Sequence, residues 1–92
     1  MLTIYSKTTC PFCVNAKSYL SQNQIPYVEI DVEQDPAALD FIRNEGHRTV
    51  PQIYLNGKLF VAGGWQGLSN LAPDMIRQEM ELRQALDDVD AI

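Results

Sequence analysis

Cysteine is scarce in this chain: there are two in 92 residues, and both stand in Cys10-Pro11-Phe12-Cys13. Two thiols cannot build the multi-bridge framework of a small secreted scaffold. Nor does the chain need one, because a domain of this length buries about 60–65% of its unfolded surface unaided. A structural zinc site needs four ligands, and His47 is the single histidine available to join the pair. Basic residues are few as well, seven against twelve acidic ones for a net charge of −5. That balance argues against nucleic acid or an anionic membrane as partner and leaves proteins as the expected macromolecular partners. No apolar run approaches the roughly 18 residues of a membrane span, and the four alternating residues near the start are too few for a secretory core. Low-complexity and repeated segments are also missing. The expectation is one domain over residues 1–92, soluble, cytoplasmic and monomeric. In that reducing compartment a lone cysteine pair is far more often catalytic or metal-binding than structural.

What is present reads as alternating strands and helices. Leu2 to Tyr5 alternates as a short strand, a polar loop spans Ser6 to Thr9, and Pro11 suits a first helical position, so Cys10 falls at the N-cap. The helix runs to about Ser21, with Cys13, Ala16 and Leu20 on one stripe, and a second strand covers Tyr27 to Ile30. Asp35-Pro36 opens a helix that Gly46 stops. Strands at Gln52–Leu55 and Leu59–Ala62 flank Asn56-Gly57, a pair suited to the positive φ angles of a type I′ turn. Gly63-Gly64 ends that hairpin, a short helix spans about Gln66 to Leu71, and Pro73-Asp74 opens a last helix. The tail from Asp87 to Ile92 should fray, because its acids sit at the negative end of the helix dipole. A βαβ unit joined to a ββα unit implies an α/β fold: a four-stranded mixed sheet with its first two strands parallel and helices on both faces.

The placement of the thiols carries chemistry. A sulfur at a helix N-terminus faces unpaired backbone N–H groups and the positive end of the dipole, and Lys7 adds a nearby cation, so the thiolate of Cys10 is favoured. Cys13, three residues on, shares its face and lies deeper. Cys10 is therefore the expected nucleophile and Cys13 the resolving thiol. A sulfur that ionises easily is also a good leaving group when a second thiol attacks its mixed disulfide.

Lys7-Thr-Thr-Cys10-Pro-Phe-Cys13, then Thr49-Val50-Pro51, then Gly63-Gly64 resembles a dithiol glutaredoxin of the thioredoxin superfamily, and the likeness runs from Met1 to about Leu71. The resemblance implies a thioredoxin fold, glutathione as reductant and co-substrate with no metal, and disulfide-containing proteins as substrates. It implies a cis Pro51 that turns the Val50 backbone toward the dithiol, where it can pair with glutathione. Lys7, Phe12, Thr49, Val50 and Gly64 match positions lining the glutathione groove; Phe12 keeps the usual ring and lacks the tyrosine hydroxyl. Arg48 is placed to hold an anionic ligand, and Gly63, Trp65 and Gln66 complete the candidate groove.

The chain also departs from that pattern. The carboxylate that usually follows the two glycines is replaced by Trp65-Gln66-Gly67, leaving Gln66 and backbone N–H groups to receive glutathione; Gly67→Asp is expected to restore the contact. Ala38 stands where the family commonly has a glutamine. Trp65 to Leu68 resembles part of the tail of redoxins that serve ribonucleotide reductase and draw on thioredoxin reductase, which makes that enzyme an alternative partner. Trp65 is then either core packing or a surface ring beside the dithiol. A reading of another class is a carrier or sensor that uses the cysteines to hold an iron-sulfur cluster or a partner protein.

Overall fold

A computed structural model describes the chain from Met1 through Asp90. The order is β1 (Leu2–Ser6), α1 (Pro11–Gln22), β2 (Tyr27–Asp31), α2 (Pro36–Asn44), β3 (Gln52–Leu55), β4 (Lys58–Val61), α3 (Gly64–Ser69) and α4 (Pro73–Asp90). The strands form one sheet in the order β2-β1-β3-β4. β1 runs parallel to β2 and antiparallel to β3, and β4 pairs antiparallel with β3 at the edge. This is the four-stranded mixed sheet of a thioredoxin-like fold.

Strand alternation sorts side chains onto two faces. Leu2 and Ile4 of β1, with Ile53 and Leu55 of β3, bury against Ala16 and Leu20 of α1, Leu68 of α3 and Ile76 of α4. On the opposite face Val32, Ala38 and Ile42 pack with Tyr5, Phe41 and Val50 under α2. Truncating a buried aliphatic such as Ile4 costs about 2–5 kcal/mol in cores of this kind. The sheet between these two layers is thus a rigid base, and the loops at one of its ends carry the dithiol.

Local chemistry fixes the boundaries. The Asp35 carboxylate caps α2 by accepting from Ala38 N–H at 3.1 Å. At the other end Gly46, with φ +89°, donates to the Arg43 carbonyl, and His47 donates to that of Ile42. This pair of bonds is a Schellman stop. Asn56 and Gly57 both have positive φ, as a type I′ turn requires.

Several boundaries differ from the expectation, and three of the differences have a clear cause. β4 starts at Lys58 rather than Leu59, because a two-residue turn pairs its flanking residues, here Leu55 with Lys58. α3 starts at Gly64, two residues early, since Gly63 and Gly64 turn the chain directly into the helix with φ +88° and +56°. α4 runs to Asp90, past Asp87 where the tail was expected to begin. The Asp87 carboxylate accepts from Asn56 Nδ2 at 2.7 Å and lies 3.7 Å from Lys58 Nζ, so the hairpin offsets the unfavourable helix end. Residues 91 and 92, the last of the expected fraying tail, lie outside the described residues.

Candidate active site

Cys10 is the N-cap of α1, with extended φ −97° and ψ 112°, and Pro11 occupies the first turn. Its sulfur takes the place of the usual capping oxygen and accepts from Cys13 N–H at 3.2 Å. The Cys10 thiol in turn lies 3.5 Å from the Val50 carbonyl, to which it donates. Both thiols are free: Cys10 is half-buried and Cys13 has no exposed surface. Burial, then the neighbouring Cys10 sulfur, pushes the Cys13 thiol up to about 12, opposed in part by the Lys7 backbone and the Lys17 charge. Cys13 is thereby held as a neutral thiol behind an accessible one.

Lys17 follows Cys13 by one helical turn, which places the two side chains on one face. Its ammonium pairs with Glu29 of β2, which also accepts from the buried Ser6 hydroxyl at 2.8 Å. Their mutual bond raises the Lys17 pKa and lowers that of Glu29. The cation whose charge acts on Cys13 is therefore fixed by its ion pair with Glu29.

The Val50–Pro51 bond is cis. Pro51 abuts the start of α3 so closely that a Cβ on Gly64 would stand 2.8 Å from its carbonyl oxygen. Gln52 anchors this loop, donating to the Thr49 carbonyl at 2.9 Å. Beside Cys10, Phe12, Thr49, Val50, Pro51, Gly63, Gly64, Trp65 and Gln66 line a cleft of about 560 Å³. Lys7 and Arg48 line a second cleft of about 300 Å³, which shares His47, Thr49 and Val50 with the first. The structure therefore sets these expected groove residues along two clefts that meet at the Thr49-Val50 backbone. Trp65 is half-buried: it turns an edge to Tyr19, with ring centroids 5.8 Å apart, and also lines the larger cleft.

Two readings change. Gly67 cannot host the missing carboxylate, because a Cβ there would lie 1.9 Å from the Ala62 carbonyl oxygen. Ala38 packs into the α2 core beside Val32 and Ile42 rather than facing the groove. The sequence reading missed Arg43, His47 and Gln52 as lining residues. The Gly46 stop was a signal for Arg43 and His47, since a Schellman turn brings the residues on either side of it close together.

A dithiol at a helix N-terminus, one sulfur accessible and the other buried, opposite a cis proline on this sheet, places the chain in the thioredoxin-fold class. Residues 2–60 match the model of the glutaredoxin family, and the chain belongs to that family. It is 43% identical over 61 residues to Glutaredoxin-C4 of Arabidopsis thaliana, covering 62% of this chain and 45% of that protein. It is 36% identical over 56 residues to Glutaredoxin 3 of Escherichia coli, covering 60% of this chain and 68% of that protein. The chain thus spans under half of the first relative's length. Among solved structures it resembles a buckwheat glutaredoxin–glutathione complex, with TM-score 0.68 and 28% identity over 87% of this chain and 76% of that one. It also resembles the glutaredoxin-like NrdH-redoxin of Escherichia coli, with TM-score 0.61 and 26% identity over 84% of this chain and 91% of that one.

Proposed function

We propose that this glutaredoxin-family thiol oxidoreductase is a glutathione-dependent enzyme acting on protein disulfides and glutathione mixed disulfides. The observation that carries the reading is the asymmetry of the pair: Cys10 accessible and capping α1, Cys13 buried and held protonated. The Cys10 thiolate attacks one sulfur of the substrate disulfide; that S–S bond breaks, the departing thiolate takes a proton, and a mixed disulfide remains on Cys10. Cys13 then gives up its proton, attacks the Cys10 sulfur and expels the second substrate thiol, leaving a Cys10–Cys13 disulfide. One glutathione reopens it by attacking Cys10, and a second removes the first as oxidised glutathione. The two electrons given to the substrate are thus returned.

The larger cleft supports glutathione as the reductant because it offers a peptide-like backbone edge at Thr49-Val50 beside the reacting sulfur, with Phe12 and Trp65 as apolar walls. Lys7 and Arg48 are the cations that would face its carboxylates. This chemistry fits a monomeric domain in the reducing cytoplasm, with disulfide-containing proteins as partners.

The test is a trapping experiment. Cys13→Ser incubated with oxidised glutathione should accumulate one glutathione per chain, mapped by mass spectrometry to Cys10. Trapping on residue 13 in the reciprocal Cys10→Ser variant, at an equal rate, would overturn the assignment. A second reading, a thioredoxin-reductase-dependent donor to ribonucleotide reductase, is favoured by one observation: Trp65 and Gln66 occupy the wall where the usual carboxylate is lacking.

A further inference from the structure

Seven lysines and arginines are spread over the chain, and the structure divides them cleanly. Lys17, Lys58, Arg77 and Arg83 are each in an ion pair, with Glu29, Asp87, Asp74 and Glu79 respectively. The other three, Lys7, Arg43 and Arg48, have no ion pair among the described residues, and all three line the smaller cleft beside the dithiol. No aspartate or glutamate lines that cleft. Among the described residues, the lysines and arginines without an ion pair are thus gathered in one cleft.

The floor between these charges is apolar, from Leu39 and Ile42 of α2. The cleft opens onto Val50, whose carbonyl is 3.5 Å from the Cys10 sulfur. An extended chain bound with its disulfide at Cys10 would therefore run across Val50 with its next residues among Lys7, Arg43 and Arg48. Three like charges held together without partners repel one another, and an anionic occupant relieves that repulsion.

We infer that this cleft is a docking surface for a protein substrate that carries acidic residues beside its reactive disulfide. The inference rests on the proposed attack by Cys10 but not on glutathione as the reductant. Arg43 has no part in the exchange steps; it stands on α2 and is exposed, so its role is to select the substrate. Attraction of this kind acts mainly on the association rate and weakens as salt screens it.

The experiment uses the full chain, reduced beforehand with dithiothreitol, in single-turnover stopped flow against dye-quencher peptides joined by a disulfide. The peptides are identical except for two flanking residues, which are Asp, Ser or Lys. The acidic peptide should react about tenfold faster than the serine peptide at low ionic strength, with the gap closing near 0.5 M salt. Arg43→Glu should erase or invert the preference, read as the ratio of the acidic-peptide rate to the serine-peptide rate. Equal rates on all three peptides, or a preference that survives Arg43→Glu, would overturn the docking surface. Absence of reaction with every peptide would instead defeat the attack by Cys10, and the inference with it.

Discussion

The two walls that flank Cys10 are built differently. One is the Arg48–Pro51 loop with the end of α2 and Lys7; it carries three unpaired cations and a backbone edge held by the cis proline and by Gln52. The other runs from Ala62 to Gln66 with Phe12 and Leu59; it is largely apolar, and none of these residues is charged. The first lies within the stretch that matches the glutaredoxin family, and most of the second lies beyond residue 60. The lesson is that the dithiol and its charged side lie inside the stretch shared with the family, whereas most of the side around Trp65 lies outside it.

The comparison breaks most completely if the sulfur between the walls is removed. Cys10→Ser should reduce all exchange to the uncatalysed background, whereas Cys13→Ser should stop protein-disulfide reduction and retain turnover of glutathione mixed disulfides, which needs one thiol. Parallel coupled assays on an insulin-type disulfide and a mixed-disulfide substrate check this. Equal losses from both replacements would remove the distinction between the thiols.

The second wall tolerates change poorly where its backbone is tight. Gly67→Asp should destabilise the fold by on the order of 3 kcal/mol, seen as a lower denaturant midpoint, because its Cβ meets the Ala62 carbonyl. The burial of Cys13 makes a smaller and pH-dependent contribution. Its thiol is pushed up from 9.0 to about 12, so the folded state binds the extra proton. The stabilisation is complete below pH 9 and is lost as pH rises toward 12. Reduced protein should therefore lose stability across that window in thermal melts, while Cys13→Ala should not show the same slope.

A gentler change sharpens the contrast between the walls. Gln66 is exposed and lines the cleft, so Gln66→Asp can supply a carboxylate without the clash of Gly67→Asp. It should lower the KM for glutathione by about threefold, the scale of an exposed ionic contact. Phe12→Tyr should change turnover by less than about twofold, since the ring is 59% exposed and gains only a hydroxyl in water.

Much of this site was legible in sequence because short-range chemistry sets it. Pro11 after Cys10 marks a helix start, Asp35-Pro36 marks another, and Asn56-Gly57 sets the hairpin, each by a rule that acts within four residues. The features that were not foreseen depend on contacts beyond that range. Asp87 is held by Asn56 and Lys58 from the hairpin. The need for glycine at 67 comes from the carbonyl of Ala62 across a turn, and Arg43 joins Lys7 only through the packing of α2 on the sheet. Periodicity reports which face of an element is buried; it does not report which other element supplies the neighbour.

The proposed activity requires that glutathione reach Cys10 past the Trp65 wall. The direct measurement is reduction of the oxidised protein by glutathione with glutathione reductase, followed by NADPH consumption, with thioredoxin reductase in parallel. Sustained turnover with glutathione is the predicted result. Turnover only with thioredoxin reductase would contradict it and make the Trp65 wall the determinant of the electron donor.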